Sequence, residues 1–203
     1  MAVRIKFCGL TREADVIAAL ALGVEALGFN LAKGPRRIPL ERARALTDLV
    51  GPLVVTVALF VDASEDDILE AMRHTRCQVA QLHGAESVDL VTRLRRRFPV
   101  IKAASLRTAG DLAALRGHPA DALLLDSAHG GSGQTWDLAL SEGTPFDRPI
   151  ILAGGLRPET VAAAITRIRP MGVDVASGIE SQPGVKDPGR MAAFVRAVRE
   201  SGV

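Results

Sequence analysis

Two side chains, a thiol and a carboxylate, stand where packing does not ask for them. Cys8 lies in KFCGLT (Lys6–Thr11), where an apolar strand pattern breaks at a glycine. Asp126 lies in LLLDS (123–127), just before the glycine-rich stretch AHGGSGQTWD (128–137). A free cysteine is usually a small buried hydrophobe. At a strand-to-loop break it is also a candidate for proton transfer. One group that removes a proton and another that donates one suit an isomerisation better than a hydrolysis. The ordinary pKa values, about 8.5 for a thiol and about 3.9 for an aspartic acid, put both groups in the wrong state near neutrality. The thiol must therefore be pushed down, or act from a small deprotonated fraction, and the carboxyl must be pushed up. A cation such as Lys6 would help the first, and burial under a closed loop the second.

Further candidates occupy similar positions. GPRRI (34–38) places Arg36 and Arg37 in a restrained loop, where a guanidinium can grip a carboxylate through two hydrogen bonds. QLHG (81–84) contributes His83, counted with the substrate-binding residues. LAGGL (152–156) and ASGIE (176–180) offer Gly154, Gly155, Ser177 and Gly178, small residues that let backbone N–H groups approach an anion. Asp174 is the expected partner of a buried Lys6 and is counted with the substrate-binding set. The four histidines are scattered without metal-ligand spacing, so no metal site is expected. The G-x-G at 131–133 lacks the third glycine of a dinucleotide fingerprint, and no cofactor is expected. The stretch at 128–137 reads instead as a lid.

Eight short β-rich runs carry these residues: 3–7, 25–30, 54–60, 78–83, 99–104, 121–126, 149–154 and 172–177. Helical patterns separate them. One opens on a Thr11 cap and closes on Gly23, one opens on a Ser64 cap, and one carries Pro158 near its first turn. Strands alternating with helices favour a parallel sheet. Eight such units in 203 residues, with no linker, predict an α/β fold of one domain, a (β/α)8 TIM barrel spanning 1–203. An open doubly wound sheet is the alternative. In a barrel, sites lie at the C-terminal ends of the strands, where all of these candidates fall, and the loops after strands seven and eight frequently bind phosphate. Along strand one, Val3, Ile5 and Phe7 share the face expected to meet the helices, which turns Lys6 and Cys8 inward.

Composition narrows the partners. Net charge is +2 and there is no tyrosine, so neither charge nor stacking argues for nucleic acid. The basic run RLRRRF (93–98) reads as a solvated helix face with its leucine and phenylalanine turned inward. Two cysteines make no disulfide framework, and no apolar run is long enough to span a bilayer. A cytoplasmic protein with a small phosphorylated substrate, no membrane or nucleic-acid partner, and a monomeric or homodimeric state is expected.

Taken together, KFCGLT, GPRRI, QLHG, LLLDS with GGSGQTWD, LAGGL and VDVASGIE (173–180) resemble the phosphoribosylanthranilate isomerase family, in the family's order and over nearly the whole chain. The resemblance implies an Amadori rearrangement in tryptophan biosynthesis. It implies Asp126 as general acid, Cys8 as general base and Arg36 as the anthranilate carboxylate ligand. Gly155, Ser177 and Gly178 would lie in its phosphate turns. The chain departs from the family at Arg37, where an aromatic is common, and at Leu138. A different phosphate-binding barrel isomerase or epimerase, and a non-catalytic sugar-phosphate sensor, are the alternatives.

Overall fold

The computed structural model describes residues 2–106, 111, 115–127 and 146–202. Eight parallel strands close into a barrel in sequence order. They are β1 (Arg4–Phe7), β2 (Ala26–Asn30), β3 (Val55–Phe60), β4 (Val79–Leu82), β5 (Val100–Leu106), β6 (Ala122–Ser127), β7 (Ile150–Leu152) and β8 (Gly172–Val175). The seam pairs β1 with β8 and sets Lys6 opposite Asp174. The described helices are α1 (Glu13–Ala21), α2 (Leu40–Thr47), α3 (Glu65–Thr75), α4 (Val88–Leu94), α5 (Val161–Ile168) and α6 (Pro188–Arg199). The segments expected to be helical after β5 and β6 fall largely outside the described residues.

Period-two alternation divides the strand side chains into two sets. Ile5, Phe7, Leu27, Phe29 and Leu82 face outward into the main core between sheet and helices. A smaller set, including Val57, Ile101, Ala103, Leu124 and Ile151, fills the barrel interior. Asp126 shares its parity with Leu124 and points to the same side. Lys102 shares the outward parity of Val100 and Leu106. It donates to the carbonyls of Leu82 and Gly84 and to Glu86. In the basic run Leu94 is buried and Phe98 packs on the core, while Arg93, Arg95, Arg96 and Arg97 are exposed.

Local signals held at some boundaries and were overridden at others. Ser64 caps α3 by accepting from the Asp67 N–H. Thr11 does not cap α1, whose N-cap is Arg12 without a side-chain bond. Its hydroxyl donates to the Gly184 carbonyl at 2.6 Å instead. Pro158 precedes α5 rather than entering its first turn. The Gly184 carbonyl that Thr11 recruits belongs to an unexpected element, an antiparallel hairpin of β9 (Glu180–Gln182) and β10 (Val185–Lys186) inserted between β8 and α6. Its turn holds Pro183 and Gly184, with Gly184 at φ +80°, and a Pro-Gly pair is the signal that marks it.

Helix α6 anchors the C-terminal segment. Asp187 caps it and Pro188 occupies its first turn. Fully buried Phe194 meets Phe7 of β1 edge-on, with ring centroids 6.3 Å apart. Phe194→Ala is expected to cost about 3–5 kcal/mol of unfolding free energy. Urea titration followed by circular dichroism measures this, and a loss under about 1 kcal/mol would contradict the packing described.

Candidate active site

A cleft of about 200 Å³ opens at the C-terminal end of the barrel. Cys8, Arg36, His83, Asp126, Gly154, Gly155, Asp174 and Ser177 all line it. Gly178 stands just behind the lining. A Cβ there would overlap the Leu156 carbonyl, so this glycine lets the loops after β7 and β8 touch. Arg37 is exposed and does not line the cleft. The stretch 128–137, read above as a lid, lies outside the described residues.

The thiol side of the cleft is built on charge. Lys6 donates to Asp174 Oδ1 at 2.8 Å, and both residues are buried. Burial works most strongly on the Lys6 ammonium and against it, but Asp174 and Cys8 together outweigh it and hold Lys6 above the ordinary lysine range. Gly28 makes the room: a Cβ there would lie 3.0 Å from both Cys8 Sγ and Lys6 Nζ. Burial pushes the Cys8 thiol up, against the pull of Lys6 and with the push of Asp174. This corrects the expectation of a depressed thiol. Desolvation of the thiolate outweighs the lysine, and the second route, action from a small deprotonated fraction, is left.

The carboxylate side is a polar chain. His83 Nε2 lies 3.1 Å from Asp126 Oδ2, and Gln81 Nε2 lies 3.2 Å from His83 Nδ1. An amide nitrogen only donates, so with Gln81 in this orientation Nδ1 accepts and Nε2–H donates to Asp126. His83, counted above among substrate-binding residues, therefore also orients Asp126. Gln81 is fully buried on the cleft wall, and its Oε1 has no hydrogen-bond partner among the described residues. It is a buried acceptor of the kind a ligand hydroxyl satisfies.

A third cluster was not anticipated. Arg36 donates Nε and Nη2 to the two oxygens of Glu180, at 2.8 and 2.7 Å. Lys186 donates to Glu180 Oε1 at 2.8 Å and to the carbonyls of Cys8 and Ala176 at 2.7 and 3.0 Å. Burial alone would raise the Glu180 carboxyl, but Arg36 and Lys186 hold it below the usual carboxylate range. Burial holds Lys186 below the ordinary lysine range despite Glu180. The Glu180 bonds hold the Arg36 guanidinium above its usual value. Gly9, at φ +70°, leaves the space over which the Arg36 stem crosses.

Fold and cleft together define a (β/α)8 barrel of the enzyme type, with a thiol and a carboxyl brought into one cleft at the C-terminal ends of its strands. Residues 5–197 match the model of the N-(5'-phosphoribosyl)anthranilate (PRA) isomerase family, and the chain belongs to that family. It is 42% identical to N-(5'-phosphoribosyl)anthranilate isomerase of Pseudomonas fluorescens Pf-5, over 98% of this chain and 97% of that protein. The crystal structure of phosphoribosyl anthranilate isomerase from Thermus thermophilus superposes with a TM-score of 0.90 at 41% identity, covering 97% of this chain and 98% of that one. A phosphoribosyl anthranilate isomerase in complex with reduced 1-(o-carboxyphenylamino)-1-deoxyribulose 5-phosphate gives 0.88 at 33% identity, with the same coverage.

The charge around Cys8 leads to a measurement independent of turnover. Burial also pushes the other cysteine, Cys77, up, to about 11, so alkylation is read separately on the peptide that carries each cysteine. Iodoacetamide alkylation of Cys8, followed by mass spectrometry, is expected to accelerate only as pH rises beyond the ordinary thiol range. Lys6→Met removes the opposing cation and moves that rise to higher pH. Full alkylation at neutral pH, or a shift downward in Lys6→Met, would contradict the electrostatics described.

Proposed function

We propose that this chain converts N-(5-phosphoribosyl)anthranilate to 1-(2-carboxyphenylamino)-1-deoxyribulose 5-phosphate in tryptophan biosynthesis, and that its cleft works as follows. Asp126 protonates the furanose ring oxygen, the C1'–O bond breaks, and the anthranilate nitrogen lone pair forms the iminium. Cys8 thiolate takes the proton from C2', and those electrons neutralise the iminium to give an enolamine. Loss of the C2' hydroxyl proton and gain of a proton at C1' complete the ketone. The neighbouring iminium acidifies the C2' proton, so a thiol ionised in only a fraction of molecules suffices. Arg36 holds the anthranilate carboxylate, and the turns at Gly154–Gly155 and Ser177–Gly178 receive the phosphate. Gln81 and Asp174 face the sugar.

The observation that carries this reading is the meeting, in one cleft, of a thiol from β1 and a carboxyl from β6. Neither residue is needed to fill the barrel. The eight-stranded closure supports one catalytic domain across 1–203. A thiol that must stay reduced favours the cytoplasm. Among the described residues no helix is long and apolar enough to cross a membrane.

Freshly prepared phosphoribosylanthranilate mixed with the protein is expected to lose its anthranilate fluorescence. Cys8→Ala and Asp126→Asn are each expected to fall by at least about a thousandfold in kcat, in the upper part of the range for losing an acid or base. Binding of a sugar phosphate without turnover by the wild type would point to a sensor. Full activity in Cys8→Ala would remove the thiol from the mechanism.

For assembly, the opposite face of the barrel favours a homodimer. Leu53 is 94% exposed there, with Val55 at 39% and Met171 at 37%. It borders an apolar hollow of about 610 Å³. A projecting side chain and a hollow on one face are self-complementary across a two-fold axis. Sedimentation equilibrium is expected to give the dimer mass for the wild type and the monomer mass for Leu53→Asp. A wild-type monomer at every concentration tested would refute the dimer.

A further inference from the structure

The Arg36–Glu180–Lys186 cluster places three ionisable groups beside the cleft, and the acid–base steps use none of them. Its geometry has a specific consequence. A guanidinium has two edges that can take a carboxylate side-on. Glu180 occupies the Nε–Nη2 edge of Arg36 completely. The remaining edge, Nη1 with the second Nη2 hydrogen, is the one left for a ligand, and Arg36 lines the cleft. We infer that Glu180 and Lys186 are positioning residues that give the enzyme its selectivity for a substrate bearing a carboxylate. This rests on the reading that Arg36 receives the anthranilate carboxylate.

The charge balance explains why two partners are needed. Arg36 and Glu180 alone sum to zero and would attract a carboxylate weakly. Lys186, fully buried, restores one net positive charge to the cluster without entering the cleft. Its other two protons go to the carbonyls of Cys8 and Ala176, so it cannot swing away to meet the substrate itself. Glu180 is pinned again by the Gly184 N–H at 3.3 Å. The guanidinium is thus held in one plane by a partner that cannot move, and binding need not order a long flexible side chain.

The test compares phosphoribosylanthranilate with N-(5-phosphoribosyl)aniline, which lacks the carboxylate, in steady-state kinetics. Variants are Arg36→Met, Glu180→Gln, and the charge-balanced Glu180→Gln/Lys186→Met, which leaves no buried charge unpaired. Arg36→Met tests the underlying reading: an unchanged KM for phosphoribosylanthranilate would overturn that reading, and this inference with it. With a raised KM in Arg36→Met, Glu180→Gln and the double variant are each expected to raise KM for phosphoribosylanthranilate at least fivefold. For Glu180→Gln, kcat is expected to stay within threefold of wild type and kcat/KM for the aniline compound to be unchanged within threefold. In the double variant, which also releases the Cys8 carbonyl, the preference in kcat/KM for phosphoribosylanthranilate over the aniline compound is expected to fall at least fivefold. Equal loss on both substrates would mean a general structural role and would overturn the inference. So would an unchanged KM for phosphoribosylanthranilate in the double variant, which decides the matter if Glu180→Gln alone does not fold.

Discussion

A lysine buried in a barrel wall must have a counter-charge, and the rest of this structure depends on how that requirement is met. Lys6 sits on the first strand and Asp174 on the last, 168 residues away, and they meet in register across the seam. A buried charge without its partner costs several kcal/mol, so the pair penalises any register that separates the two residues. The same pair forms the floor beneath Cys8. Closure of the barrel and the setting of the thiol are therefore one electrostatic arrangement. The thiol that results is not an activated one. Desolvation favours its protonated form, and the proposed chemistry draws on a small fraction of thiolate acting on a proton that the iminium makes acidic.

The opposite side of the cleft follows a different logic. Around Asp126 the polar groups form a line from Gln81 through His83, neutral partners that fix orientation. Around Arg36 they form a charged cluster of alternating sign, whose members come from β2's following loop and the hairpin after β8. The cleft thus separates a rigid charged wall, suited to an anion, from a line of hydrogen bonds that orients the Asp126 carboxyl.

Much of this could be read from the chain. The barrel was legible because each strand is a short apolar run with a turn at its end, and inward parity at Lys6, Cys8, Gln81, Asp126 and Asp174 follows from alternation alone. The cleft-lining residues were legible as polar or small side chains at strand ends. The hairpin was not, although Pro183–Gly184 marks its turn. Glu180 lies 144 residues from Arg36 and Lys186 lies 178 from Cys8, and pairings at such separation leave no local pattern. Thr11 misled for a related reason: its hydroxyl has a good cap geometry within reach in sequence, but the hairpin carbonyl is the partner it finds in space. The elevated thiol was also hidden, because the sequence shows the neighbouring cation and not the depth of burial that outweighs it.

The hairpin has a bearing on how the protein comes into being. The carbonyl of Cys8 is held by Lys186, a residue synthesised 178 positions later. At cellular translation rates of roughly 5–20 residues per second, the first strand and its thiol leave the ribosome on the order of ten seconds or more before their last anchor exists. Asp174, Glu180 and Lys186 all belong to the final stretch of the chain. A nascent polypeptide that has not reached β8 carries Lys6 and Cys8 without Asp174 or Lys186. The seam of the barrel and the hold on the Cys8 carbonyl therefore form only after β8 and the hairpin have been made.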